Sequence, residues 1–142
     1  MKTLLLKATE VVQATGGTLI RGNPRGVFEG VSTDSRDVAE GNLFIPLRGE
    51  RFDGHAFIRD AVRRGAAGLL AERGMDGIGE DTIGDIPVIL VADTLRALGD
   101  IAHLWRNKFA IPVVAVTGSS GKTTTKEMIA TVGELSGTVL KS

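Results

Sequence analysis

Cysteine is missing altogether, and with it disulfides and thiolate metal sites. A chain without it suits a reducing, cytosolic setting. Tyrosine is missing too, and the aromatic complement is five phenylalanines and one tryptophan, so the core is expected to be aliphatic. Neither sign of charge is in excess: Lys+Arg and Asp+Glu each number 17. That balance gives no sign of the basic surface of a nucleic-acid or anionic-membrane binder. Long hydrophobic runs are lacking, and nothing approaches the run of about 18 apolar residues that a membrane span needs. The start, MKTLLLKATEVV, has an apolar run of only Leu4 to Leu6, too short for a signal peptide. Internal repeats and low-complexity segments are also absent.

What is present is an ordinary folded composition. The 142 residues are 42% hydrophobic and 24% charged, enough for one domain, or one domain with a fragment of another. Nineteen glycines between short apolar runs point to many brief α/β elements. A helix is expected over residues 4–14, followed by a turn and a short strand in GGTLIRG, and a strand over residues 27–31. Residues 43–47 form a compact apolar run whose Pro46 demotes it towards a sheet edge. Phe57, Ile58, Ala61 and Val62 have helical spacing, with Gly65 as a stop. AGLLAE and IPVILVAD read as buried strands separated by a loop over residues 74–85, and strand–helix–strand order predicts parallel pairing. A further helix begins at Asp93 as N-cap, with Leu95, Leu98, Ile101, Ala102, Trp105 and Phe109 as its apolar stripe. Pro112 closes it. A strand at 113–116, a helix at 121–134 and the start of a strand at 138–141 are expected beyond.

The segment VVAVTGSSGKTTTKEM, residues 113–128, carries the clearest chemistry. An apolar strand, a Gly/Ser turn and a helix together make a phosphate cradle. Gly118 and Gly121 let the backbone turn and approach an anion. The N–H groups of residues 119–123 then face it at the positive end of the helix. Lys122 is placed for the β- and γ-phosphates, and the Thr123 hydroxyl for Mg²⁺. Gly118, Ser119, Ser120, Gly121, Lys122, Thr123 and Thr124 are therefore the candidate ATP-binding residues, with Lys122 as the catalytic one. Only Ser119 and Ser120 separate the glycines, fewer than in the general G-x-x-x-x-G-K-[ST] pattern. The bland alternative is a plain Gly/Ser turn between strand and helix.

Other polar residues have simpler readings. Asp93 could be a metal carboxylate, but its place before an apolar-periodic segment makes it a helix cap. His55, in DGH, reads as a turn or hydrogen-bonding residue rather than a catalytic base, and His103 as a solvated helix flank. Asp34 and Asp37 do not make a catalytic pair, and RDAVRR is a solvated helix face.

The short loop TGSSGKTTTKEM, together with VSTDSRDVAEGNLFIPLRGERFDGHAFIRDAVRRGAAGLLAE upstream, resembles the Mur ligases, ATP-dependent enzymes that build the peptide stem of peptidoglycan. GSSGKT, KEM and LRGERFDGH look most like the branch that takes UDP-N-acetylmuramoyl-tripeptide and D-alanyl-D-alanine as substrates. The resemblance implies an α/β chain: a small mixed-sheet UDP-sugar-binding domain with flanking helices over residues 1–92, a connector helix over 93–111, and the first strand–phosphate loop–helix unit of an ATP-binding domain over 112–142. It implies ATP and Mg²⁺ as cofactors and a bacterial cytoplasmic location, with no nucleic-acid partner. It also implies that Thr33 and Ser35, with Arg48, Gly49, Glu50, Arg51 and Phe52, hold the uridine diphosphate end of the substrate. Read without the family, STDSR is equally well a hydrogen-bonded turn after a strand. The family's metal-binding Glu, carboxylated lysine and third domain find no counterpart in the 142 residues, so the chain is expected to be an amino-terminal piece, inactive alone. Another amine-adding Mur ligase (meso-diaminopimelate or lysine), a folylpolyglutamate synthase and a stand-alone nucleotide-binding module are the competing readings.

Overall fold

The structure, a computed structural model, describes residues 5–72 and 79–142. It divides into two compact units, Met1–Phe109 and Ala110–Ser142. The first is built on a five-stranded sheet in the order β2-β7-β6-β5-β4, formed by β2 (Thr18–Arg21), β4 (Gly30–Ser32), β5 (Asn42–Phe44), β6 (Gly68–Glu72) and β7 (Val88–Val91). Strands β4 to β7 run parallel, and β2 closes one edge antiparallel to β7. A separate two-stranded ribbon pairs β1 (Leu6–Lys7) with β3 (Val27–Phe28).

Successive side chains of a strand point to opposite faces, and here both faces are apolar. Leu43, Leu70 and Ile89 join one buried cluster with Val11 of α1 (Ala8–Thr15) and Ala97 and Ile101 of α4 (Thr94–Arg106). Their strand neighbours Phe44, Leu69 and Val88 join a second cluster with Ile58 and Ala61 of α2 (Ile58–Arg63) and Ile83 of α3 (Glu80–Ile83). The result is a sheet covered by helices on both sides, the arrangement that parallel strands require. The α/β class, the mixed sheet and the parallel β6–β7 pair all match the sequence expectations.

Several local expectations do not hold. Helix α1 starts only at Ala8, because Leu6 and Lys7 pair with Phe28 and Val27; the helix then opens with a capping box in which the Lys7 N–H donates to Glu10 Oε2 at 2.9 Å. The expected strand over 27–31 is split at Glu29, whose N–H donates to the Gly41 carbonyl at 2.9 Å, and the halves enter different sheets. Strand β5 is interior, not an edge: Pro46 lies two residues beyond its last ladder position and costs the sheet no hydrogen bond. In α4 the buried line is Thr94, Ala97 and Ile101, while Leu95 stays 65% exposed. Leu98, Ile101, Ala102 and Trp105 line an apolar groove of about 340 Å³. The helix read as a connector lies within the first unit, where Lys108 just beyond it bonds Glu10 of α1 at 3.0 Å. Of the 74–85 loop, residues 74–78 lie outside the described residues, and α3 forms in the remainder.

In the second unit only α5 (Lys122–Glu134) is regular, as expected for residues 121–134. Residues 113–116 and 138–141 form no strand: Val113 and Val114 are each 65% exposed, and no ladder partner for them exists among the described residues. A helix closes its hydrogen bonds within itself, whereas a strand needs a neighbour.

Candidate functional site

In a parallel sheet all strands end on one side, and ligands of such folds bind beyond those carboxyl ends. Here β4 and β5 are adjacent and in register, Ser32 opposite Phe44, so the loops that follow them leave the same edge side by side. The first is STDSR and the second runs from Ile45 to His55. The candidate residues from both loops are thus delivered to one edge by strand order.

The STDSR loop is a hydrogen-bonded turn. Ser32 Oγ donates to the Asp34 carbonyl at 2.9 Å, and the Asp34 side chain accepts from the Arg36 N–H at 2.9 Å. The Arg36 guanidinium bonds the Asp34 carboxylate through Nε and Nη2 and draws its carboxyl down to about 2. Both side chains are solvated, so the pair shapes the turn rather than the stability of the fold. Within the turn Thr33 is exposed and Ser35 buried.

The second loop is a tight hairpin. The Gly54 N–H donates to the Leu47 carbonyl and the Gly49 N–H to the Phe52 carbonyl, each at 2.8 Å, and Arg48 pairs with Asp53. The tip therefore consists of Gly49, Glu50, Arg51 and Phe52, all exposed. Phe52 stands 54% exposed, with its ring centroid 6.4 Å from that of Phe57.

Below the tip lies a polar cluster assembled from three segments. His55 Nδ1 is 2.6 Å from Asp53 Oδ1, and the imidazole Nε2 accepts the Glu72 N–H at 3.4 Å. Arg48 donates through Nε to Asp53 Oδ2 at 3.1 Å and reaches Glu72 Oε2 through Nη1 at 3.3 Å. Thr94, at the start of α4, donates its hydroxyl to Glu72 Oε1 at 3.2 Å. The Asp53 carboxyl is held below its ordinary value, first by the His55 N–H; burial opposes this, and the His55 ring and Arg48 add to it. Arg48, expected at the diphosphate, is thus already shared between two carboxylates. His55 is a hydrogen-bonding residue, as its place in DGH suggests. Asp53, Glu72 and Thr94 were not legible as site residues. For Glu72 a signal existed: a carboxylate closing a buried parallel strand stands at the binding edge by topology. Asp93 is the cap of α4, its Oδ1 accepting the Arg96 N–H at 2.8 Å. His103 lies exposed on α4, its Nε2 2.9 Å from the Asn107 side-chain nitrogen.

The second unit carries the phosphate-loop motif. Gly121 has φ 75° at the N-cap of α5 and Gly118 has φ 152°, conformations that side chains rarely adopt. No side chain caps the helix, and its first intrahelical bond runs from the Thr125 N–H to the Gly121 carbonyl at 2.9 Å. The N–H groups that open a helix have no intrahelical partner and favour an anion. Lys122 folds back, its Nζ donating to the Gly118 carbonyl at 2.5 Å across the mouth of the loop. Gly118 to Thr124 are all exposed. The seven residues expected at a nucleotide phosphate are therefore brought together; they belong to a different compact unit from the hairpin and STDSR residues. Among the described residues no group of three or more His, Cys, Asp or Glu could hold a metal, and no helix is long and apolar enough to cross a membrane.

Residues 27–106 match the family model described as Mur ligase family, catalytic domain. A UDP-N-acetylmuramoyl-tripeptide–D-alanyl-D-alanine ligase of Synechocystis sp. is 47% identical over 112 residues, covering 79% of this chain and 24% of the relative. A crystal structure of MurF from Acinetobacter baumannii superposes with a TM-score of 0.78 at 36% identity, over 95% of this chain and 29% of that one. MurF ligase from Thermotoga maritima, solved in complex with ADP, is 38% identical with a TM-score of 0.60, over 74% of this chain and 23% of its own. The chain thus spans about a quarter of the length of the relatives it matches. With the model covering more than half of its residues, the chain belongs to the Mur ligase family.

Proposed function

We propose that this chain supplies the UDP-sugar-binding part and the ATP phosphate loop of a ligase that joins D-alanyl-D-alanine to UDP-N-acetylmuramoyl-tripeptide in the bacterial cytoplasm. The observation that carries the proposal is the pairing of two recognition elements on one chain. One is the carboxyl-edge loops after β4 and β5; the other is the uncapped, glycine-opened start of α5. The 47% identity to a ligase of that name supports the choice of substrates.

In the first unit, the exposed Phe52 ring offers a face for the uracil, and Thr33, Ser35 and the hairpin backbone at Gly49 and Glu50 offer polar groups for its edge. Arg51, exposed at the tip, is the cation for the diphosphate, while Arg48 holds the hairpin through its two carboxylates. In the second unit, the free N–H groups at the start of α5 bind ATP phosphates. Lys122 exchanges its bond to the Gly118 carbonyl for a β- or γ-phosphate oxygen and offsets the charge that develops during transfer.

The reaction takes two balanced steps. The terminal carboxylate of the tripeptide accepts the γ-phosphoryl group of ATP, giving an acyl phosphate and ADP. The amine of D-alanyl-D-alanine then attacks the acyl carbon, releasing phosphate and a proton and forming the amide. Mg²⁺ fits the site only as a partner of the phosphates: the Thr123 hydroxyl is exposed for it, and no acidic cluster stands ready among the described residues. When bound, the ion neutralises phosphate charge. Ligation itself is proposed for the full-length protein, and the 142-residue chain alone is expected to be inactive.

Amide chemical shifts during separate titrations with UDP and with Mg-ATP test the two halves. UDP is expected to shift Thr33, Ser35 and residues 49–52, and Mg-ATP to shift residues 118–124. UDP leaving both loops unmoved would overturn the assignment of the first unit.

A further inference from the structure

The DGH segment has no part in the proposed contacts to uridine diphosphate, yet its histidine is the most deeply enclosed ionisable side chain near them. The His55 side chain is 1% exposed, and every ring nitrogen is engaged. A backbone N–H can only donate, so the Glu72 N–H fixes Nε2 as the acceptor and leaves the ring proton on Nδ1, where it donates to Asp53 Oδ1. The bonds then close into a circuit. His55 donates to Asp53, Arg48 donates to Asp53 and forms an ion pair with Glu72, and Glu72 donates through its backbone to His55. Thr94 fastens Glu72 to the start of α4.

This circuit spans the base of the hairpin whose tip is Gly49 to Phe52. Arg48 and Asp53 are the two residues facing each other across that base. Glu72 and Thr94 belong to β6 and α4, which are fixed in the buried core, Thr94 itself being 1% exposed. The hairpin is exposed at its tip, where Phe52 faces the Phe57 ring at 6.4 Å, and the circuit gives its base a polar attachment to the sheet.

We propose that His55 is a positioning residue for uridine diphosphate recognition: as the neutral Nδ1–H tautomer it joins Asp53 to the end of β6 and so holds the Gly49–Phe52 tip in its binding geometry. It touches no ligand itself. The inference rests on the assignment of uridine diphosphate to that tip.

The test uses the 142-residue chain and UDP as the probe. Ring nitrogen chemical shifts of His55 report the tautomer, with a protonated Nδ1 and an unprotonated Nε2 expected. His55→Asn keeps a donor near the Nδ1 position and loses the acceptor for Glu72; His55→Gln keeps an acceptor at the Nε2 position and loses the donor to Asp53. Each is expected to raise the Kd for UDP by about tenfold, as loss of a buried hydrogen bond implies. His55→Phe, which removes both bonds, is expected to raise it further. Amide exchange at Gly49 and Gly54 should accelerate in all three, while exchange in β6 and β7 stays as in the unsubstituted chain. Should His55→Phe fail to fold, the two amide variants and the tautomer still decide. Unchanged UDP affinity in both amide variants, or an Nε2–H tautomer, overturns the role of His55 alone. Failure of the unsubstituted chain to bind UDP overturns the site assignment and this inference with it.

Discussion

Gly54→Ala sets two physical arguments against each other, and the structure decides between them. Gly54 does not have a left-handed φ, so alanine could adopt its backbone conformation without strain. On conformational entropy alone the substitution should stabilise the chain by about 0.4–1 kcal/mol, by narrowing the unfolded ensemble. The added Cβ, however, would stand 2.8 Å from both the nitrogen and the oxygen of Leu47 and 3.2 Å from the Cα of Pro46. Those atoms are backbone and cannot rotate away. Relief requires the two arms of the hairpin to part, which stretches the Gly54 N–H bond to the Leu47 carbonyl, now 2.8 Å. Overpacking of this kind costs about 1–3 kcal/mol and the weakened bond about 0.5–1.5 kcal/mol. The net expectation is a loss of roughly 2 kcal/mol, with the sign set by the close approach. Urea unfolding followed by Trp105 fluorescence measures it, because the single tryptophan lies in the first unit. The midpoint should fall with little change in slope, and exchange at Gly49 and Gly54 should accelerate beyond the global effect. A midpoint that rises would refute the reasoning: it would mean that the hairpin accommodates a methyl group and is not the tight anchor described here.

Three further outcomes are expected. Asp93→Ala removes the acceptor for the Arg96 N–H and should cost about 1 kcal/mol in the same urea experiment; an unchanged midpoint would show that the cap is replaced by water. The Asp53 and Glu10 carboxyls titrate below their ordinary values in the fold, so their contribution is present above the unfolded value and is lost as the pH falls through the folded one. Stability should therefore decline below about pH 4, and Asp53→Asn should flatten that decline; identical acid limbs would contradict the assignment. Gly121→Ala places a side chain at φ 75° and should cost about 1–2 kcal/mol at the start of α5. Mg-ATP should then lose its effect on the amides of residues 122–124, and preserved shifts would show that the loop does not need the left-handed residue.

What was legible in the sequence was what the chain decides locally. The Asp93 cap and the glycine-opened start of α5 each depend on a handful of neighbouring residues, and the parallel β6–β7 pair follows from element order. The Asp34 turn is likewise a product of a short segment. The misread elements depend on partners. Residues 27–31 look like one strand until Glu29 bonds the Gly41 carbonyl and sends the halves to different sheets. The run at 43–47 looks like an edge because it holds a proline, but only the ladder shows that pairing has ended before Pro46.

The same distinction separates the two parts of the candidate site. Of the phosphate cradle, the glycine turn and the helix start are set by adjacent residues and form, while the strand before them, which needs a partner, does not. The edge site is made by strand order, and its supports come from far along the chain. Glu72 is 17 residues from His55, and Thr94 is 22 from Glu72. No spacing rule joins residues at those separations, because the number of residues between two parallel strands depends on the crossover, not on the site. The hydrophobic pattern does place β5, β6 and β7 side by side, and once their carboxyl ends coincide the polar residues there have to satisfy one another. Buried as it is, His55 needs partners for both nitrogens, and the loop and the end of β6 supply them. Packing chooses the neighbours, and the cost of an unpaired buried ring nitrogen then turns that neighbourhood into a brace for the loop above it.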